Sequence, residues 1–155
     1  MGRDDRSVSS SPGVSPARTA EIEEVIGRFT HWARDRDDIV GLLLVGSCAR
    51  NAARPDSDID VVLLTAEEAR YLDDATWAGE LGLGGLIRAQ AWGPISERRC
   101  STASGLEVEV GIGSSAWATT DPIDPGTRRV VTDGARVLHD PEGILADLLA
   151  ACQLS

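Results

Sequence analysis

The sequence predicts an α/β domain of the α+β kind, with a mixed, mainly antiparallel sheet of about five strands flanked by helices. Three observations carry that expectation. Ile39 to Val45 and Ile59 to Leu64 are short, continuous apolar runs rich in Val, Leu and Ile, the pattern of buried strands. Gly105 to Ile112 alternates apolar and acidic residues with period two, so it reads as a half-buried strand. Ile22, Val25, Ile26, Phe29 and Trp32 recur at helical spacing before the first run, and that stripe is expected to pack on the sheet.

The remaining elements follow in order. Residues 1–18 are rich in Ser, Pro, Gly and charge and read as a disordered tail, with the folded domain at 19–155 and Thr19 as cap of the first helix. Ala66 to about Asp74 suits a short helix, and the Gly-rich section Gly79 to Gly85, which lacks a nucleotide-loop pattern, leads to a third strand near Leu86. Ile87 to about Cys100, broken at Gly93-Pro94, is expected to pair antiparallel with the Glu107 strand through a turn at Ser101 to Gly105. Asp121 to Gly126 reads as a loop and Arg129 to Leu138 as an extended pair interrupted at Asp133-Gly134. Pro141 is expected to open a final helix carrying Ile144, Leu145, Leu148 and Leu149 along one side. Trp77, Trp92 and Trp117 are read as packing residues rather than base-stacking ones.

Composition narrows the function classes. The 155 residues hold 15 Lys+Arg against 25 Asp+Glu, a formal charge of −10, and every fixed side-chain cation is an arginine. Such acidity argues against a nucleic-acid backbone as the main partner. Cys48, Cys100 and Cys152 are odd in number and lack metal-ligand spacing, which points to a reducing, cytoplasmic setting rather than a disulfide framework or zinc site. No apolar run is long enough to span a bilayer, so no membrane role is expected.

The chemistry concentrates between the two apolar runs, in Gly46-Ser47-Cys48-Ala49-Arg50 and Ser57-Asp58-Ile59-Asp60. On a strand, i and i+2 side chains share a face roughly 6.6 Å apart, so Asp58 and Asp60 point together while Ile59 and Val61 point into the core. Paired carboxylates suit hard divalent cations such as Mg²⁺, which bridge readily to phosphates. Gly46 lets the backbone approach a phosphate closely, and Ser47 offers its hydroxyl and N–H at the start of a short helix through Ala49 to Ala53. Arg50 and Arg54 add cations there; Arg50 is taken as the phosphate-side candidate.

This segment resembles the signature of the DNA polymerase β-like nucleotidyltransferase superfamily, Gly-Ser, then a short helix, then Ser-Asp-hydrophobic-Asp, and is most similar to its small minimal-nucleotidyltransferase and aminoglycoside-nucleotidyltransferase-like branch. Asn51 departs from the Gly the family often has after the Arg, a mild change because Asn tolerates left-handed angles. The resemblance implies Mg²⁺ or Mn²⁺ held by Asp58 and Asp60, the triphosphate at Gly46, Ser47 and Arg50, and a third carboxylate on a later strand. The family's Gly-x-x-hydrophobic-acid-hydrophobic pattern places that carboxylate at Glu109, as metal ligand and proton acceptor, with Glu107 as the alternative. Arg98 and Arg99 are candidates for substrate contact, but paired arginines on a hairpin are more often solvated surface, and they are read as such.

The expected function is transfer of a nucleoside monophosphate from a nucleoside triphosphate, with ATP the expected donor, to a hydroxyl of a small molecule or protein. Larger relatives carry a helical acceptor domain, for which this chain is too short; acceptor recognition is expected from loops, a second copy or a partner protein. The competing expectation is a non-catalytic nucleotide-binding or antitoxin-like interaction module.

Overall fold

The computed structural model describes residues 15–50, 58–74, 76–84, 86–92 and 94–153, omitting the side chain of Trp92. Its first helix, α1 (Pro16–Arg34), starts earlier than expected, because Ser15 accepts the Arg18 N–H as a cap and Pro16 occupies the first turn, where its missing N–H costs nothing. Thr19 is therefore interior to the helix. The rest of the expected tail, residues 1–14, lies outside the described residues.

The strands are β1 (Ile39–Val45), β2 (Ile59–Thr65), β3 (Leu86–Trp92), β4 (Ile95–Ser101), β5 (Glu107–Gly113) and β6 (Ala135–His139), in the spatial order β3-β4-β5-β2-β1-β6. The sheet thus has six strands rather than about five, and β2 with β5 is its parallel pair among antiparallel neighbours. Short helices α2 (Glu68–Leu72) and α3 (Thr76–Glu80) precede β3; the second of these had no expectation in the sequence.

Each face of the sheet has its own core. Ile59, Val61 and Leu63 of β2 and Val108, Val110 and Ile112 of β5 pack with Ile22, Val25, Ile26, Phe29 and Trp32 of α1, so the expected stripe is core. Trp77 is buried there and its ring N–H donates to the Tyr71 carbonyl at 2.9 Å. On the other face Leu43, Val62 and Leu64 pack against a 3₁₀ turn (Ser115–Ala118) and two C-terminal helices, α4 (Pro125–Thr132) and α5 (Ile144–Gln153).

Two expectations are corrected on that second face. Residues 129–132 are helical rather than extended. Asp124 accepts the N–H groups of Gly126 and Thr127 and Pro125 follows it, so a strong start signal overrides the strand preference of Val130 and Val131. The last helix begins at Ile144, not Pro141, because the Asp140 carboxylate takes the Leu145 and Ala146 N–H groups and Gly143 sits at a φ of +77° just before.

Candidate functional site

The chain leaves β1 at Val45 and turns at Gly46, whose φ is +78° and where a Cβ would stand 2.7 Å from Asp60 Oδ2. Only glycine allows both the left-handed angle and the close passage beside that carboxylate. The Ala49 N–H then donates to the Gly46 carbonyl at 3.1 Å and the Arg50 N–H to the Ser47 carbonyl at 3.2 Å, which closes the turn. Cys48 is buried, and its thiol donates to the Asp58 carbonyl at 3.4 Å, tying the turn to the entry of β2. The rest of the expected short helix, with Asn51, Arg54, Pro55 and Ser57, lies outside the described residues.

Strand register assembles the charged row. Asp60 lies between Val45 of β1 and Glu109 of β5, Glu109 is opposite Arg99 of β4, and Arg99 is paired with Arg88 of β3. Glu107, two residues before Glu109, shares its face, and Asp58 stands just before β2 begins. Asp58, Asp60, Glu107 and Glu109 are thus gathered at one end of β2 and β5, on the face carrying Val62 and Leu64.

Arg99 ties this acidic face together. Its Nη1 donates to Asp58 Oδ2 at 2.7 Å and to Glu107 Oε1 at 2.6 Å, and its Nη2 donates to Glu109 Oε2. Arg88 reaches Glu109 at 3.4 Å and Glu97 at 3.9 Å from the more exposed side. Arg99 and Glu109 are each only 18% exposed, against 33% for Asp58 and 42% for Glu107, so the arginine and Glu109 are the inner members. Arg50, by contrast, is engaged at the corner between α4 and β6: its Nη1 donates to the Asp133 carbonyl at 2.8 Å and its side-chain carbons lie against Gly134.

Burial and crowding set the protonation equilibria. Burial, then the charges of Glu109 and Asp58, push the Asp60 carboxyl up to about 7, with Arg99 opposing them. Glu109 is likewise raised, by burial and then by Glu97, again with Arg99 opposing. Burial raises the Cys48 thiol, helped by Asp60 and Asp58, so it is a poor nucleophile. Arg99 is held still more firmly in its charged form, first by its hydrogen bond to Asp58.

Beside the carboxylates, on the same face, lies a cavity of about 350 Å³ bounded by Asp60, Glu109, Gly111, Ile95, Trp117 and Val130. Gly111 and Gly113 on β5 keep it open towards Ile95, whose methyl groups would meet a Cβ at 2.9 Å and 2.6 Å respectively. Its walls are mainly apolar and its charged rim is acidic.

Residues 30–100 match the family described as a nucleotidyltransferase domain. That match covers just under half of the chain. It takes in the Gly46-Ser47 turn, Asp58, Asp60 and β4 as far as Cys100, while β5 lies beyond it. The matched segment is the one that carries the Gly-Ser and Ser-Asp-hydrophobic-Asp motif, and the expected mixed sheet flanked by helices is the architecture observed. No curated protein matches this chain. Among solved structures, Cid1 studied for its RNA terminal uridylyl transferase activity is 18% identical with a TM-score of 0.45, covering 64% of this chain and 32% of its own. A cytoplasmic RNA terminal U-transferase is 15% identical with a TM-score of 0.45, covering 68% and 32%. Cid1 in complex with the UTP analog UMPNPP is 14% identical with a TM-score of 0.43, covering 77% and 35%. The chain therefore spans about a third of the length of the solved structures it matches.

Arg99 is the site residue that sequence reasoning passed over. A signal was present: the hairpin expected between the Ile87–Cys100 segment and the Glu107 strand sets an Arg-bearing strand beside an acidic one.

Among the described residues no group of three or more His, Cys, Asp and Glu side chains stands ready to hold a metal ion. The donor set nevertheless fits one. It is all carboxylate oxygen, as a hard divalent cation requires, and Asp60, in register with Glu109, receives none of the hydrogen bonds that Arg99 gives to Asp58, Glu107 and Glu109.

Proposed function

We propose that this domain transfers a nucleoside monophosphate from a nucleoside triphosphate, with ATP the expected donor, to a hydroxyl of a small molecule or protein. The observation that carries the reading is the direct register of Asp60 with Glu109, flanked by Asp58 and Glu107, beside a turn whose glycine passes within contact of Asp60. Asp58, Asp60 and Glu109 would hold Mg²⁺ or Mn²⁺, with Glu107 the alternative third ligand. When bound, such an ion neutralises phosphate charge and makes an attacking hydroxyl more acidic.

The chain's own groups do the rest. The turn at Gly46 admits the triphosphate to close range, and Ser47 supplies hydroxyl and N–H donors. Glu109, whose proton affinity is raised by burial, takes the proton as the acceptor oxygen bonds to the α-phosphorus. The bond from that phosphorus to the bridging oxygen breaks, and pyrophosphate leaves with the electron pair. The cavity beside Asp60 gives an apolar portion of nucleoside or acceptor a dry surface. The net charge of −10 favours a small molecule or protein over nucleic acid as acceptor. A second copy or a partner protein would find exposed apolar surface at Leu86 and Ile87 on the edge strand β3.

Calorimetric titration of ATP, GTP, CTP and UTP, with and without Mg²⁺, tests the reading. Metal-dependent binding of a nucleotide by the wild type, lost in Asp58→Asn and Asp60→Asn, is the expected result. Binding indifferent to metal and to both substitutions would count against it. The non-catalytic module is the second reading, and one observation favours it: Arg99 already engages Asp58, Glu107 and Glu109. It predicts nucleotide or partner binding that survives both substitutions.

A further inference from the structure

We propose that Arg99 is the resident counter-ion of the carboxylate site, and that a divalent cation binds by displacing it from Asp58, Glu107 and Glu109. The inference rests on the reading of those residues as a metal site and adds what governs entry to it. Arg99 and the ion draw on the same oxygens, since Asp58 Oδ2 and Glu109 Oε2 are both spent on its guanidinium. A divalent cation placed there with Arg99 unmoved would stand within a few ångströms of a fixed positive charge that cannot be neutralised by losing a proton.

Two further features make the arrangement exchangeable. Arg99 Nε is buried and has no hydrogen-bond partner among the described residues, so the guanidinium is held through its Nη atoms while its third nitrogen stays unsatisfied. The carboxylate that Arg99 does not bond is Asp60, the one whose Oδ2 faces the Gly46 turn; an arriving ion can meet Asp60 first and then draw the other oxygens from Arg99. Arg88 cannot substitute, because it contacts Glu109 and Glu97 from the outer strand and makes no contact with Asp58.

The experiment is a Mn²⁺ titration of the full, metal-stripped chain without nucleotide, followed by electron paramagnetic resonance and calorimetry. Arg99→Gln is expected to tighten Mn²⁺ binding roughly tenfold or more relative to wild type, from removal of a competing unit charge in contact with the ligands. Arg88→Gln, which removes the same charge without freeing Asp58, should tighten it by less than about threefold. The gain should vanish when Asp60→Asn is added to Arg99→Gln. Equal or weaker binding by Arg99→Gln, with wild-type binding still dependent on Asp60, overturns the inference and leaves the metal-site reading standing. An Arg88→Gln effect as large as that of Arg99→Gln also overturns it, since charge alone would then suffice. Asp60-dependent binding in Arg99→Gln but not in wild type overturns displacement, since Arg99 then excludes the ion instead of yielding to it. No Asp60-dependent binding in either protein defeats both. Should Arg99→Gln fail to fold, Arg99→Lys keeps the charge but loses the fork; it should bind Mn²⁺ more tightly than wild type, and an unchanged affinity overturns the inference.

Discussion

Asp60→Asn should stabilise the metal-free protein, and only above mildly acidic pH. Unfolded, the carboxyl has its ordinary value of 3.8; folded, burial, Glu109 and Asp58 raise it to about 7. The folded state therefore binds the proton more tightly. The stability tied to this group is fully present below about pH 4 and is lost as pH rises through about 7. Taken at about 1.4 kcal/mol per pH unit, the interval corresponds to a ceiling of about 4 kcal/mol. Because the carboxylate is half-buried and shares its surplus charge with Glu109, we halve that figure to about 2 kcal/mol. Asparagine imitates the neutral acid at every pH, so the variant should match wild type near pH 4 and exceed it by about 2 kcal/mol at pH 8, or about 6 °C in Tm for a chain of this size. Urea denaturation in the presence of a chelator, at both pH values, measures the difference. A gain that is the same at pH 4 and pH 8, or a variant less stable than wild type at pH 8, would refute the electrostatic account.

Other consequences are equally direct. Gly46→Ala should cost about 1–3 kcal/mol, since the new methyl meets both a φ of +78° and Asp60 Oδ2 at 2.7 Å; chemical denaturation reads the loss. Asp38 accepts from Tyr71 at 2.6 Å and Thr65 at 2.9 Å; burial raises its carboxyl, but these hydrogen bonds outweigh that and leave it below its ordinary 3.8. Its contribution is therefore present above about pH 4 and lost as pH falls through the folded value, so Asp38→Asn should cost about 2 kcal/mol at pH 7 and progressively less as pH falls below about 4, measured by the same titration. Leu145→Ala removes a fully buried side chain whose methyl lies against Gly41, and should lower stability by about 2–5 kcal/mol in urea denaturation.

Local patterns carried part of this architecture and stopped where tertiary pairing took over. The apolar runs of β1 and β2 and the alternation of β5 were readable because burial on both faces, or on one, leaves a mark on consecutive residues. The same period-two rule grouped Asp58 with Asp60 and Glu107 with Glu109, and the structure sets both pairs on one face. The expected hairpin set Arg99 beside the acidic strand, but its place opposite Glu109 depends on the β4–β5 register, which neither segment carries alone. The corner that Arg50 meets at Asp133 and Gly134 was unreadable for a related reason, being remote in sequence. The helix α4 was misread although its start signal was local; Val130 and Val131 outweighed Asp124-Pro125 in the reading, whereas in the chain the cap prevails.

The parallel pairing of β2 with β5 has a kinetic corollary. Asp60 and Glu109 come together only after the chain between them has closed a long loop containing the β3–β4 hairpin, an entropic cost borne before their contacts can repay it. Contacts so separated in sequence belong to the late stages of assembly, after the local β1 and α1 packing has formed. The repulsion between these carboxylates then weighs on the native state far more than on the transition state. Relieving it, as Asp60→Asn does, should therefore slow unfolding and leave folding nearly untouched; a chevron in which the folding arm shifts instead would place this contact in the transition state.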